Sequence, residues 1–277
     1  IIIDLRNNGG GSLSEATLST GLFIGKGPIV QVRDSRNKIE VHRNVKEKVS
    51  YDGPLTVLIN RYSASASEIF AAALQDYGRA VIIGEQTFGK GTVQQHRRIS
   101  RFYDEDAEVI GSVQYTIAKF YRINGGSTQH RGVTPDILFP SPIEHKDTGE
   151  SLEKNALPWD NIKSANYKEF TKLESDIAKL TKIHDERIKD EVEFTYLDSD
   201  IKEYREEKDD ISITLVESDR IKLRKEKEHL ALVRNNERLK RAGLAEVKSV
   251  DDLPDDFEPI DAFLIEAVAI TLDYSKL

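Results

Sequence analysis

Leu55-Thr56-Val57-Leu58-Ile59-Asn60-Arg61-Tyr62-Ser63-Ala64-Ser65-Ala66-Ser67-Glu68-Ile69-Phe70 joins two different patterns. Its first five residues form a short apolar run, as in a strand buried on both faces. From Ile69 the apolar residues follow helical spacing through Phe70 and Leu74, with Ala71, Ala72 and Ala73 between. A buried strand therefore turns tightly, through small hydroxyl residues, into a helix. Such a turn lifts one side chain off the sheet end and sets it at a helix N-terminus, where unpaired N–H groups and the helix dipole favour negative charge. A serine held there can attack a carbonyl while neighbouring N–H groups hold the oxyanion.

Three serines compete for that position. Ser65 has alanine on both sides, so a substrate can approach closely; Ser63 stands beside Tyr62 and Ser67 beside Glu68. A plainer reading fits the same residues. Ser65-Ala66-Ser67-Glu68 is a capping box, in which Ser65 caps the helix and Glu68 reaches back to it. At this point cap and nucleophile both stand.

Outward from this turn the chain alternates. Ile1 to Leu5 reads as another buried strand; Gly9-Gly10-Gly11 follows, then the capping box Ser12-Leu13-Ser14-Glu15 and a helix to about Ile24. Three glycines between a strand and a helix N-terminus let backbone N–H groups approach an anion. Ile29 to Arg33 and Ile39 to Val45 read as a hairpin. Ala80 to Glu85 is a further buried strand, and Val93 to Ile99 and Ser112 to Tyr121 are strand-like. Strand–helix–strand order predicts an α/β fold on a parallel sheet, with both turns at the carboxyl ends of their strands.

A serine nucleophile needs a base. His42 and His96 fall in strands, His130 follows a hairpin, and His145, His184 and His229 lie in a highly charged half; none has glycine neighbours in a loop. Lys90, between Gly89 and Gly91, is the better candidate. A lysine enclosed there by the following strand would give up its proton more readily and could accept the serine's. The plain alternative is a surface lysine in a loop.

Charge divides the chain. Residues 1–140 carry 17 Lys and Arg against 14 Asp and Glu; residues 141–277 carry 23 against 34. The expected boundary lies near Pro140-Ser141-Pro142. In the acidic half Phe170, Leu173, Ile177, Leu180 and Ile183 share a helical face, as do Ile221, Leu223, Leu230, Val233 and Leu239, and Ala262 to Leu272 reads as a last apolar helix. No strongly basic face suggests nucleic acid. Cysteine is absent, which excludes disulfides and thiolate-bound metal. Methionine is absent even at position 1, and Ile1-Ile2-Ile3 reads as the inside of a strand, so a fragment or processed product is expected.

Four motifs in order, Asp4 to Gly11, Ser63 to Phe70, Phe88 to Gln94 and Arg131 to Asp136, together resemble the carboxyl-terminal processing peptidases, the S41-type Ser/Lys proteases. The likeness covers about residues 1–140. It implies a ClpP/crotonase-like protease core, followed at 141–277 by an acidic, mainly helical C-terminal extension. It implies Ser65 as nucleophile, Lys90 as base and Gln94 as the residue orienting the lysine. Gly9, Gly10 and the N–H of Ala66 would shape the oxyanion hole, with Glu68 and Asp76 in support and neither metal nor cofactor. It further implies protein or peptide substrates with apolar C-terminal tails, a periplasmic location, and a PDZ domain upstream of the first residue. Room remains for an adaptor protein on the charged helices and for peripheral membrane contact. Two competing readings are a non-catalytic crotonase-like binding module and an interaction scaffold.

Overall fold

The structure is a computed structural model and describes residues 1–99, 111–208 and 212–277. The chain forms two compact units, residues 1–187 with 266–277, and residues 188–265. In chain order the elements are β1 (Ile2–Asp4), α1 (Leu13–Ile24), β2 (Gly27–Asp34), β3 (Ile39–Asn44), β4 (Thr56–Ile59), α2 (Ala66–Asp76), β5 (Val81–Gly84), β6 (Thr92–Arg98), β7 (Ser112–Tyr121), β8 (Ile137–Leu138), α3 (Glu174–Ile188), α4 (Val192–Lys208), α5 (Glu217–Arg241) and α6 (Ala262–Tyr274).

In the first unit the predicted parallel sheet is present, in the order β1-β4-β5-β8. Its central strands are buried on both faces, as their unbroken apolar runs require. Val57, Ile59 and Ile82 face a core shared with α1 and α2, including Ala16, Phe70 and Leu74. On the opposite face Thr56 meets Thr271 of α6 through their hydroxyls at 2.7 Å. At the end of β5, Gly84 adopts φ 114°, and a Cβ there would lie 2.1 Å from the Ile59 carbonyl oxygen. The remaining strands form a second, antiparallel sheet, β3-β2-β7-β6, which strand patterns alone do not separate from the first. Ile29, Val30 and Phe120 carry it onto the same core.

The acidic half is helical, with differences from the expected faces. Helix α3 starts only at Glu174. Phe170 precedes it and stacks on Tyr77, ring centroids 5.1 Å apart, while its N–H donates to the Tyr77 carbonyl. Helix α6 reaches the first unit through Ala267 and Ile270, both buried. Within the second unit, Glu193 of α4 accepts hydrogen bonds from Arg238 and Arg241 of α5. Of the five apolar residues expected along α5, only Leu239 is buried. The many charges around that helix leave the other four solvated. Among the described residues, no helix is long and apolar enough to cross a membrane.

Candidate active site

Ser65 joins β4 to α2 with φ 57° and ψ −113°, a conformation that residues with a side chain rarely adopt. A strained strand-to-helix turn is also the backbone geometry that a nucleophile elbow uses. Gly10 packs directly on it. A Cβ at Gly10 would lie 2.5 Å from Ala64 O, 2.8 Å from Ala66 N and 2.9 Å from Ser65 Cβ, so only glycine fits.

The three serines differ in burial. Ser63 is fully buried and its hydroxyl donates to the Leu5 carbonyl at 2.8 Å. Ser67 is buried and donates to the Asn8 carbonyl at 3.0 Å. Ser65 is half-buried and lines a cleft of about 490 Å³ together with Gly9, Gly10, Ala66, Lys90 and Gln94.

Glu68 binds the two sides of this cleft together. It is wholly buried, and its Oε2 accepts the N–H of Ser65 at 2.7 Å and the N–H of Lys90 at 2.9 Å. Its Oε1 accepts the Thr87 hydroxyl at 2.6 Å and the Gly89 N–H at 2.8 Å. One carboxylate thus fixes the backbone of both the serine turn and the lysine loop. Burial lifts its pKa to about 7, against the pull of the four donors. The Glu68 half of the capping box and the elbow conformation occur on the same turn.

Lys90 is less enclosed than expected. It is half-buried, because it stands in the loop two residues before the edge strand β6 and lines the open cleft. Lys90 Nζ donates to Gln94 Oε1 at 3.0 Å, and among the described residues no carboxylate lies within ion-pair distance of it. Gln114 of β7 donates to the same Gln94 oxygen at 2.6 Å. Between Val93 and Gln94 the β6–β7 register shifts, Val93 pairing with Ala118 and Gln94 with Thr116. Bulges of this kind re-aim a side chain.

The expected oxyanion groups differ in state. The N–H groups of Ala66 and Gly9 have no protein partner among the described residues, whereas the Gly10 N–H donates to Asn8 Oδ1 at 3.0 Å. Asp76 lies ten residues along α2, roughly 15 Å from the turn. The structure places it outside the cleft, where its carboxylate accepts from Arg122 at 2.6 Å and Asn124 at 2.8 Å. Burial raises its pKa, opposed by Arg122. Among the histidines, only His96 lines the cleft, exposed on β6. His184 has a carboxylate partner, Glu266, at 2.9 Å, but sits under Phe139 and lines no part of the cleft. Asn8 lies within the Asp4 to Gly11 motif but has no role assigned there, and no motif distinguishes Thr87 or Gln114 from ordinary loop and strand residues. Among the described residues, no group of three His, Asp or Glu could hold a metal ion.

The model of peptidase family S41 matches residues 1–139, half of the chain. The chain belongs to that family. The S41 match spans the same stretch as the four motifs, and a second family model, the C-terminal domain of tail specific protease (DUF3340), matches residues 143–276. The tail-specific protease of Haemophilus influenzae is 48% identical over 277 residues, covering 99% of this chain and 40% of that protein. The carboxy-terminal-processing protease of Bartonella bacilliformis is 40% identical over 149 residues, 53% of this chain and 32% of that one. The chain thus spans well under half the length of these relatives. A solved structure titled photosystem II D1 C-terminal processing protease is 33% identical and covers 50% of this chain and 34% of its own, with a TM-score of 0.43.

Proposed function

We propose that this chain carries the catalytic core of a serine endopeptidase that works through a Ser/Lys dyad. The observation that carries this reading is the strained Ser65 elbow joined to the Lys90 loop through one oxygen of Glu68. Ser65 Oγ attacks the scissile carbonyl and its proton passes to Lys90 Nζ. Lys90 then returns the proton to the departing amine, leaving an acyl-enzyme that water hydrolyses with the same lysine as base. The Ala66 N–H and the glycine loop at Gly9 and Gly10 receive the oxyanion. Gln94, backed by Gln114, aims the lysine. Glu68 fixes both backbones, and Asp76 supports from a distance by anchoring the far end of α2 to Arg122.

The core occupies residues 1–140 and the acidic helical extension residues 141–277. The names of the Haemophilus and Bartonella relatives support substrates chosen by their C-terminal tails, apolar ones by the family likeness. The same likeness supports a periplasmic location, and the charged helices offer a surface for an adaptor protein or for peripheral membrane contact.

A fluorophosphonate probe and a peptide-cleavage assay on the full-length enzyme test the dyad. The probe should label Ser65. Ser65→Ala and Lys90→Ala should each abolish hydrolysis with an unchanged melting temperature, and no single His→Gln change should do so. A label on Ser63, or full activity without Lys90, would refute the assignment.

A further inference from the structure

The pattern Ser63-Ala64-Ser65-Ala66-Ser67 places a hydroxyl at every second residue, yet only the central one reaches the cleft. The outer two point to the neighbouring loop. Residues 8–11 of that loop are exposed and carry three consecutive glycines, the stretch with the most backbone freedom to lose. Apart from the short-range bond of the Asn8 N–H to the Leu5 carbonyl at 3.2 Å, two hydrogen bonds among the described residues tie residues 8–11 to the rest of the fold. Both end on the Asn8 carbonyl oxygen, one from the Ala64 N–H and one from the Ser67 hydroxyl, each at 3.0 Å. The Asn8 side chain in turn accepts the Gly10 N–H at 3.0 Å. Gly10 lies within van der Waals reach of Ser65 and Ala66.

We propose that Ser67 is a positioning residue for the hydrolysis: its hydroxyl, through the Asn8 carbonyl, clamps the glycine loop against the Ser65 turn. The clamp fixes the plane of the Asn8–Gly9 peptide and hence the direction of the N–H groups that follow it. Donors held in place before the oxyanion forms stabilise the transition state without reorganising; a loop free to swing loses that advantage. Ser67 touches no reacting atom. Its partner Ala64 N–H is backbone and survives substitution, so removing Ser67 loosens the loop without releasing it. This inference rests on Ser65 being the nucleophile.

Ser67 also lines an apolar cavity of about 340 Å³ beside Phe70 and Leu5, so an added methyl has room there. The test therefore compares Ser67→Ala, Ser67→Thr and Ser67→Cys in the full-length enzyme, with kcat and KM on a peptide substrate and affinity for a peptide boronate. Ser67→Ala should lower kcat about 10- to 100-fold, less than the roughly 100- to 1000-fold cost of deleting an oxyanion donor outright, with KM within about twofold and boronate affinity falling in step. Ser67→Thr should restore most of kcat, and Ser67→Cys, a weaker donor of similar shape, should fall between. A Ser67→Ala kcat close to that of the wild type, a loss confined to KM, or a Ser67→Thr enzyme no better than Ser67→Ala would overturn the clamp. Fluorophosphonate labelling of the wild type separates the two levels. Label on Ser65 with an unaltered Ser67→Ala kcat sinks the clamp alone, whereas no label on Ser65 sinks the nucleophile beneath it.

Discussion

Glu68 concentrates more of the site's organisation than any other single side chain. Four donors converge on it, and none of its surface is exposed. Glu68→Gln keeps the shape but turns an NH₂ toward donors, leaving buried N–H groups unpaired. A cost of about 1–3 kcal/mol per unsatisfied group follows, read as a lower urea midpoint, and the two halves of the dyad lose their common brace. The titration of Glu68 gives a second expectation. Burial moves its pKa from the ordinary 4.5 up to about 7. The folded state thus holds this proton more tightly than the unfolded chain. Its contribution to stability is greatest below the lower value and declines as pH rises through the upper one. Between about pH 5 and pH 8 the wild type should lose stability relative to Glu68→Gln, by a few kcal/mol at most. Parallel pH curves for the two proteins would show that the group does not titrate in this window. The protonated carboxyl cannot accept all four bonds, so hydrolysis should also weaken as pH falls below about 7, an inflection absent from Glu68→Gln.

At the level of elements, two loops and one edge strand form the cleft, and each is held by a local irregularity. The β1–α1 loop depends on Gly10, which combines φ 93° with backbone atoms under 3 Å from any added Cβ. Gly10→Ala must displace the Ser65 turn or the loop. Hydrolysis should be nearly abolished and stability should fall by about 1–3 kcal/mol, the scale of a strained backbone residue. Gly9→Ala, whose Cβ would meet nothing within 4 Å, should be far milder. Equal effects of the two changes on kcat would show that close packing of the loop on the elbow is not what matters. The register shift at Gln94 performs the corresponding task on β6, placing that amide between Lys90 and Gln114. The strand–turn–helix elements and the Gly-flanked lysine are legible in the sequence, because spacing and turn residues encode them locally. Gln114 is not legible there, because it lies 20 residues from Gln94 and is distinguished only by strand pairing.

At the scale of the whole molecule, the last helix returns to the first unit. Glu266 of α6 is buried, accepts from Arg187 at 2.7 Å and pairs with His184 at 2.9 Å; Arg187 also reaches Asp273. Removing Glu266 leaves Arg187 to Asp273 alone and takes a carboxylate from the buried His184 ring. Glu266→Ala should therefore destabilise the first unit by about 1–3 kcal/mol. Urea unfolding followed through Trp159, the single tryptophan, reports that unit. A loss under about 1 kcal/mol would mean the cluster is solvated and contributes as little as a surface ion pair.

The elements of the core and the two loops that present Ser65 and Lys90 are written in the local sequence. Apolar periodicity, capping residues and glycines act on near neighbours along the chain, so they remain readable without the fold. Tertiary structure alone decided which groups those loops would share. It set Glu68 across from Thr87, Gly89 and Lys90, left Asp76 beside Arg122 at the far end of α2, and turned the Gly10 N–H to Asn8. It also gathered four strands into a second sheet and left Lys90 half open in the loop before an edge strand. The physical reason is that a buried carboxylate must be satisfied by whatever donors packing brings to it, and that set is fixed by crossovers between distant segments, not by local sequence.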